Sequence, residues 1–488
     1  MDTLLLWALA GPFAISAALA AAGVGDHRVV GWIGAVGRAI AVAAAAGFWM
    51  RAMGGAWPAP DANGLFRVDA LSALVAGCVA LVGAMSMTLG PGGLWAEGDS
   101  PAARRTFQAY GNLFVLAMLL AVTVNNVALM WVAVEATTIT SALLVPLHRS
   151  KASVEASWKY LLIGSVGIAL AFAGTVLAYF DLVTITGQRQ APATWALLMH
   201  AAPTLDPGLL RLAFVFLLVG YGTKAGLAPM HTWLPDAHSE APAPLSAMMS
   251  GVLLAVAQYA ILRWKAVVDL SPGGAAFTSQ VLLAVGLLSV AVGALSLVRQ
   301  QSYKRLLAYS SVEHSGLVCL GLAFGPAGVF ASVLHMMNHA LAKSASFLLS
   351  GRILSRYGTT DVSGVTGLAR TMPATGALFA VGVLALMGLP PFGLFVSEFL
   401  LFRAGFLSGH IWETAAALAL AGIGFVGLAS HAMGMLCGAG PAGVEVGERG
   451  RWALTPIVAC ALALIALGLM LPQFVGSLIG RIVEGMAA

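Results

Sequence analysis

Lysine and glutamate residues inside strongly apolar segments are the features of this chain that could do chemistry. The clearest is Lys224, which lies roughly 20 Å along a predicted helix at 209–227 if each residue rises about 1.5 Å. Prolines interrupt that helix within GYGTKAGLAPMHTWLPDAHSEAPAPLSAMMSG (220–251), a run that also contains His238. Broken backbone at membrane depth is tolerated only where protein or a water-filled cavity surrounds it. The stretch therefore predicts part of an ion pathway.

A second buried charge, Glu135, lies in WVAVEATTITSALL near the middle of a predicted span at 127–147. An unpaired carboxylate there costs about 2.5–3.5 kcal/mol, so a partner or water is required, and Lys224 is the obvious candidate. The alternative is a buried ion pair that only fixes the register of two helices. Because buried pairs stabilise poorly, the pattern favours a functional role.

Three titratable residues share one helical face in HMMNHALAKSASFLL. His335, His339 and Lys343 are spaced i, i+4, i+8, which places them in one row. Zinc ligation by the two histidines is conceivable, but neither an HExxH pattern nor a third ligand accompanies them in this segment. Histidines bonded to neighbouring carbonyls are the other alternative. A proton relay fits three titratable groups better than either.

Two further segments carry buried charges. Glu313 and His314 lie in YSSVEHSG, and Lys304 lies at the inner mouth of the same span. A Lys304 side chain that extends toward the aqueous interface is an alternative that explains its position about as well as a functional role does. Glu398 follows a second proline break in GLPPFGLFVSEFLLF, and an intramembrane carboxylate faces the protein interior by default.

The composition requires many membrane spans to position these residues. Hydrophobic residues make up 59% of the 488-residue chain and charged residues only 9%, against about 25% charged in soluble domains. The net charge of +5 is spread over short loops, which argues against nucleic-acid binding. The four cysteines are isolated and have no metal-ligand or iron–sulfur spacing, so we predict no cofactor in this chain.

The predicted fold is an all-α polytopic membrane protein with about fourteen spans. The loops 54–68, 91–108 and 182–208 are too short to hold a soluble core, and 4–22 is predicted to be the first span rather than a signal peptide. The predicted spans are 3–22, 29–53, 69–90, 109–124, 127–147, 157–181, 209–228, 242–264, 277–298, 303–324, 327–353, 373–407 (broken), 411–436 and 452–476.

Two interrupted spans, the seventh and the twelfth, suggest an internal repeat. Paired broken helices in corresponding positions are typical of inverted-repeat transporters. This pattern divides the single transmembrane domain into three N-terminal helices (1–108), a first repeat (109–264), a second repeat (277–436) and a last helix (452–476). VEAT at 134–137 also resembles VEHS at 312–315, although their offset of 178 residues differs from the offset of 162 between the two breaks.

Lysine and arginine are more frequent in the loops on one side, for example at Arg104, Arg149 and Arg305. Under the positive-inside rule this bias places both termini on the outer side of the membrane.

Several motifs together resemble the proton-translocating, antiporter-like membrane subunits of respiratory complex I, Mrp antiporters and group 4 hydrogenases. They are TKAGLAPMHTWLPDAHSEAPAPLSAMMSGVLL, WVAVEATTITSALLV, YKRLLAYSSVEHSG, HMMNHALAKSASFLLSGR and GLPPFGLFVSEF, within about 110–410. The resemblance implies fourteen helices, with two inverted five-helix repeats (helices 4–8 and 9–13) and broken helices 7 and 12. It also implies a proton pathway through Glu135, Lys224, His238, Lys304, His335, His339, Lys343 and Glu398.

One departure concerns the eighth helix, where GVLLAVAQYAILRW has Ala255 at the position at which many complex I subunits carry a lysine or histidine. Water, Gln258 or His238 would have to bridge that position. The lysine-free pattern is similar to the hydrogenase-4 (formate hydrogenlyase) component F type.

The resemblance implies a proton-translocating subunit of a redox-driven, hydrogenase-4-like or complex I-like complex, without a redox site of its own. The expected partners are other membrane subunits, a peripheral redox arm, the lipid bilayer, and protons or Na⁺, in a bacterial cytoplasmic membrane. An Mrp-type cation/proton antiporter subunit is one alternative. A membrane anchor with a non-conducting channel is another, which the retention of costly buried charges opposes.

Overall fold

The chain is helical almost throughout the residues that the computed structural model describes. These are residues 2–23, 27–54, 64–93, 99–187, 192–441, 443–448 and 450–487. Parts of the predicted loops 54–68, 91–108 and 182–208 lie outside them. Within the described ranges the only β-type pairs are isolated bridges.

The helices, in chain order, are α1 (Asp2–Ala22), α2 (His27–Met53), α3 (Ala70–Leu89), α4 (Pro101–Thr123), α5 (Val127–Ala142), α6 (Lys151–Thr186), α7 (Trp195–Ala201), α8 (Pro207–Lys224), α9 (Trp233–Glu240), α10 (Ala243–Met248), α11 (Leu254–Asp269), α12 (Gly274–Leu297), α13 (Tyr303–Ala323), α14 (Gly325–Tyr357), α15 (Leu368–Thr371), α16 (Pro373–Leu386), α17 (Gly393–Leu407), α18 (Ile411–Leu436), α19 (Thr455–Leu469) and α20 (Gln473–Ala487).

The predicted polytopic all-α fold is confirmed. Among the described residues, eleven helices are long and apolar enough to cross a membrane, α10 and α11 counting as one. The other crossings are the shorter apolar α5, the charge-bearing α14 and the α16–α17 pair, which together complete the fourteen predicted spans.

Two helices begin earlier than predicted because their first turns are polar but well capped. The Ser100 side chain accepts a hydrogen bond from Ala103 N, and Pro101 occupies the first turn, so α4 begins at 101 rather than 109. The boundary drawn at 108 therefore falls inside a helix. Ser150 and Ser153 form a reciprocal capping box, and α6 runs for 36 residues from 151 rather than 157.

The predicted last span, 452–476, is wrong in its extent. The helix α19 ends at Leu469, Pro472 follows, and the separate helix α20 begins at Gln473. Val475, Leu478, Ile479 and Ile482 are buried at helical spacing on one face of α20, which packs on α2, α3 and α14. The short helix α7 was also not predicted.

Two chain breaks of the same geometry interrupt α8–α9 and α16–α17. Gly226 and Gly388 have φ angles of 71° and 63°, a left-handed conformation that glycine adopts without steric cost. Leu227 N donates to Gly222 O at 2.9 Å, and Leu389 N donates to Leu384 O at 3.2 Å. The same offset of 162 residues thus relates both hydrogen bonds.

A second shared feature is a backbone connection, here called the tether, between the start of one helix and a later loop. In the first tether Val127 N donates to Ala193 O at 2.9 Å and Trp195 N donates to Asn125 O at 3.2 Å.

The second tether has the same pattern, with Tyr303 N bonded to Thr360 O at 3.0 Å and Val362 N bonded to Gln301 O at 2.8 Å. The helix order also recurs: α4, α5, α6 and α8 pack successively, as do α12, α13, α14 and the α16–α17 pair. Because each repeat has five spans, which is an odd number, the second repeat starts on the opposite side of the membrane from the first.

The sequence offsets disagree because the segments between the matching points differ in length. Helix α6 has 36 residues where α14 has 33, and α8 has 18 where α16 has 14, which accounts for seven of the sixteen residues by which the offsets differ. The segments before α6 and between α6 and α8, which are longer than their counterparts around α14, account for the other nine. An offset of 178 at the glutamates and of 162 at the breaks therefore fits one repeat.

Candidate functional site

Glu135 lies on α5 and is bonded to hydroxyl groups. Thr138 Oγ1 donates to Glu135 Oε2 at 2.9 Å, and Ser165 Oγ of α6 donates to Oε1 at 2.9 Å. The side chain is only partly buried. Two hydrogen bonds and partial exposure supply the compensation that an intramembrane carboxylate requires.

Lys224 is the last residue of α8 and is fully buried beside the first break. Its Nζ donates to Tyr160 Oη at 3.3 Å and lies 4.7 Å from the centroid of the Tyr160 ring, a cation–π contact. Tyr160 Oη is in turn 2.8 Å from Ser141 Oγ. Lys224 therefore faces the same α5–α6 surface as Glu135.

The expected direct pair between Glu135 and Lys224 does not form, since in the described chain no carboxylate oxygen of Glu135 lies within 4.0 Å of Lys224 Nζ. Gly164 of α6 lies between the two sites. A Cβ placed there would be 3.2 Å from Thr138 Cγ2 and 3.3 Å from Lys224 Nζ. The absent side chain leaves a narrow space that a proton can cross only through hydroxyl groups or water.

His238 and Lys304 lie where the two repeats meet. His238 is fully buried and stacks on Phe347, with ring centroids 4.9 Å apart. Neither ring nitrogen has a hydrogen-bond partner in the part of the chain described. Lys304 Nζ donates to Ser239 O at 2.8 Å and Ala241 O at 2.7 Å. Lys304 is thus buried against the carbonyl end of α9, a favourable place for a cation, rather than extended toward water.

The eighth span contains a wide π-helical turn at Met249–Leu253, between α10 and α11. Ser250 Oγ lies 2.8 Å from Ser311 Oγ, and Gln258 Nε2 donates to Ser315 Oγ at 3.2 Å. Hydroxyl and amide groups therefore connect α13 to the span in which Ala255 replaces a titratable residue. Such turns are frequent at functional sites.

Lys343 lies at the centre of α14 and is fully buried. Its Nζ donates to Leu307 O at 2.8 Å and also to Ser310 Oγ. Glu313 is buried one turn beyond Ser310 along α13, and no salt bridge joins it to Lys343 in the described chain. A Cβ at Gly424 of α18 would lie 2.5 Å from Glu313 Oε1, so the carboxylate occupies space left by that glycine.

Three helices bring histidines and a carboxylate together in what we call the histidine cluster: His314 of α13, His335 and His339 of α14, and Glu398 of α17. His314 Nδ1 is 3.0 Å from His335 Nε2 and 3.7 Å from Glu398 Oε1. The His314 and His339 ring centroids are 5.3 Å apart. A Cβ at Gly388 would overlap the Glu398 carboxylate, which therefore lies against the second break.

The structure places all eight predicted site residues inside the helical bundle and brings His335, His339 and Glu398 together. His314 joins them, although sequence reasoning did not include it among the site residues. Its position directly after Glu313 was the available signal. Tyr160 and the hydroxyl groups around Glu135 were missed because nothing in their local sequence distinguishes them from ordinary helix residues.

Comparison with known proteins agrees with this architecture. Residues 124–424 match the family described as "NADH:quinone oxidoreductase/Mrp antiporter, TM". The chain is 42% identical over 324 residues to a hydrogenase-4 component F homolog of Methylacidiphilum infernorum, covering 66% of this chain and 67% of that one. It is 31% identical over 338 residues to hydrogenase-4 component B of Escherichia coli, covering 67% of this chain but only 48% of that one.

A chain of respiratory complex I from Thermus thermophilus superposes with a TM-score of 0.77 at 26% identity, covering 96% of this chain and 98% of that chain. The matched residues run from just before α5 into α18 and include both breaks and all eight predicted site residues. The chain is therefore a multi-pass membrane protein that belongs to the NADH:quinone oxidoreductase/Mrp antiporter transmembrane family, the antiporter-like subunits of multi-subunit membrane complexes.

Proposed function

We propose that this chain translocates protons as a membrane subunit of a redox-driven complex of the hydrogenase-4 or complex I type. The observation that carries the proposal is a row of buried ionisable and hydroxyl groups through both repeats, from Glu135 on α5 to Glu398 on α17. Such groups are costly inside a membrane and mark ion pathways.

In the first repeat, protons would pass between Lys224 and Glu135 across the space beside Gly164. Tyr160 and Ser141 solvate the lysine side, while Thr138 bonds the carboxylate. Since the two charges do not touch, approach of the ammonium to the carboxylate would stabilise both charged forms, and separation would favour proton release from the lysine.

At the junction, neither ring nitrogen of His238 is bonded to any described residue, and His238 lies between Lys224 and Lys343 in chain order. Ser250 with Ser311, and Gln258 with Ser315, provide hydrogen-bonded steps to α13. In the second repeat, Lys343 and Glu313 form the charge centre, and the histidine cluster leads to Glu398. The exposed Pro390 and Pro391 beside that carboxylate mark the exit side.

Protons fit this row better than Na⁺, because hydroxyl, imidazole and ammonium groups relay protons while hard cations prefer cages of oxygen ligands. We further propose a bacterial cytoplasmic membrane, with both termini on the outer side. A peripheral redox arm would supply the energy, and this chain would contribute no redox centre.

The test is proton pumping by the intact complex in proteoliposomes, with redox turnover recorded in the same preparation. We expect Lys224→Ala to lower pumping by at least about tenfold while the complex remains assembled. Lys159→Ala is the matched control, because Lys159 is a half-exposed lysine that pairs with Glu155 and Asp236.

Unchanged pumping and turnover in Lys224→Ala would contradict the proposal and favour the membrane-anchor hypothesis. Transport driven by a Na⁺ gradient, without a redox donor, would instead favour the Mrp-type alternative.

A further inference from the structure

The histidine cluster has a geometry that a proton relay alone does not require. His314 Nδ1, His335 Nε2 and an oxygen of Glu398 all lie within 4.8 Å of one another, on three different helices. No other group of three such ligands occurs among the described residues. The sequence provided no third ligand near His335 and His339, because the ligand atoms come from α13 and α17.

The distances match the first coordination sphere of a small metal ion. Zinc binds histidine nitrogen at about 2.0–2.1 Å in tetrahedral geometry, so two ligand atoms lie about 3.4 Å apart. The separations from His314 Nδ1 are 3.0 Å to His335 Nε2 and 3.7 Å to Glu398 Oε1, each within a few tenths of an ångström of that value. The ligand atoms of His335 and Glu398 lie within 4.8 Å of each other, so a modest approach of Glu398 would let one ion contact all three residues.

The outer hydrogen bond of His335 leaves its lone pair facing His314. Ser397 Oγ donates to Leu394 O at 2.9 Å, so at 3.1 Å from His335 Nδ1 it accepts a hydrogen bond from the N–H of that nitrogen. His335 Nε2 is then the lone-pair atom. An acceptor behind the non-ligating nitrogen of a histidine fixes the tautomer and the ring orientation at metal sites.

On the other histidine, His314 Nε2 is buried and has no hydrogen-bond partner in the described chain. A proton on Nε2 would leave Nδ1 as the second lone pair. Two lone pairs 3.0 Å apart repel unless a proton or a cation lies between them.

We propose that His314, His335 and Glu398 bind a divalent transition-metal ion of the Zn²⁺ class. His339 is available as a fourth ligand, since its Nε2 is buried without a partner in the described chain and its ring lies 5.3 Å from that of His314. The Glu398 side chain is 15% exposed beside Pro390 and Pro391, which gives an ion a route to the site.

The test is Co²⁺ and Zn²⁺ binding to the purified full-length chain in lipid nanodiscs after treatment with a chelator. The parent and every variant in this test carry His148→Gln, because His148 and Asp99 form a surface pair that could bind metal by itself. We expect one saturable Co²⁺ site with the visible bands of a tetrahedral nitrogen–oxygen environment, and competition by Zn²⁺. His335→Gln and Glu398→Gln should each weaken binding by at least about 100-fold.

Two further variants make the result decisive. His431→Gln removes a histidine outside the cluster and should leave Co²⁺ affinity unchanged. Ser397→Ala removes only the outer hydrogen bond and should weaken affinity by about 10–100-fold. The proposal would be overturned if no saturable Co²⁺ binding were found. It would also be overturned if the Ser397→Ala and His335→Gln proteins bound Co²⁺ with the same affinity as their parent. Because the readout is equilibrium binding, the result does not depend on whether the chain pumps protons.

Discussion

The two repeats share their helix order, breaks and tethers but compensate their carboxylates differently. Both lysines are bonded to hydroxyl groups, Lys224 to Tyr160 and Lys343 to Ser310. Glu135 in the first repeat is partly exposed and accepts two hydrogen bonds, whereas Glu313 in the second is buried and makes neither a hydrogen bond nor a salt bridge in the described chain.

This difference shows that the same arrangement of helices can stabilise an intramembrane carboxylate in two ways. In the first repeat a buried charge depends on uncharged neighbours, so the loss of one charge leaves the other still solvated. In the second repeat Lys343 is also bonded to uncharged groups, but Glu313 is buried with no hydrogen bond or salt bridge in the described chain, so removal of the neighbouring lysine leaves an uncompensated charge in the interior. Leaving such a charge typically costs about 3–5 kcal/mol.

The largest expected effect is therefore an unequal response to removal of the two lysines. Lys343→Met should lower the free energy of unfolding by about 3–5 kcal/mol, because it leaves the buried Glu313 with no neighbouring cation and no hydrogen bond in the described chain. Lys224→Met should lower it by clearly less, although both variants should lower proton pumping by at least about tenfold. Thermal unfolding in detergent and pumping in proteoliposomes measure the two quantities.

Lys159→Met provides the surface control for both lysine variants. Equal losses of stability in Lys343→Met and Lys224→Met would show that the two carboxylates, Glu313 and Glu135, do not differ in how much they depend on the neighbouring lysine.

A smaller effect concerns how the end of the long helix is joined to the next one. In the first repeat Asp181 of α6 accepts directly from Asp206 N, just before α8, at 2.8 Å. In the second repeat Glu448, from the loop before α19, accepts from Thr375 N at 2.8 Å and from Arg352 Nη2 at 3.1 Å. In the second repeat, the carboxylate that joins the two helices therefore comes from a loop outside the repeat.

Glu448→Gln should lower the free energy of unfolding by about 1.5–3 kcal/mol at neutral pH. Burial opposes the ionised form, but hydrogen bonds from Thr375 and Arg352 hold the pKa of the Glu448 carboxyl below its usual value. The contribution is therefore present above the ordinary glutamate pKa of about 4.3 and is lost as the pH falls through the lowered value. The difference between wild type and variant should shrink on acidification, as thermal unfolding at a series of pH values would show.

Glu445→Gln is the matched control, since Glu445 also pairs with an arginine of α14 but is 68% exposed, and the expected change is below about 1 kcal/mol. A Glu448→Gln difference that persists unchanged well below pH 4 would contradict the assigned role.

The smallest expected effect tests the space between Lys224 and Glu135. Gly164→Ala would put a methyl group 3.2–3.3 Å from Thr138 and Lys224, which should slow pumping about threefold. Stability should not fall, because alanine favours the helix by about 0.5–1 kcal/mol. Gly434→Ala, where a Cβ meets nothing within 4 Å, is the control. Undiminished pumping in Gly164→Ala would mean that protons do not cross there.

Much of the fold was predictable because apolar length and proline breaks are strong local signals. The positions of both breaks and the burial of Lys224 and Lys343 follow directly from them. Helix ends were less predictable: α4 and α6 begin in polar turns that serine caps stabilise, and hydropathy does not detect caps. The candidate site residues follow from their types and from the resemblance, but their contacts could not be predicted. His314 meets His335 and Glu398 only because α13, α14 and α17 pack together.

The tethers have a consequence for biosynthesis. The first tether needs nothing beyond Trp195, so its hydrogen bonds can close while the ribosome is still translating the helices that follow. Lys304, by contrast, bonds Ser239 and Ala241 and cannot do so until α13 has been made. The nascent chain can therefore join the start of α5 to its loop first, whereas the carbonyl groups at the end of α9 are bonded only after Lys304 has been synthesised. In the cell, the first half would be assembled before the second half fixes the broken helix beside Lys224.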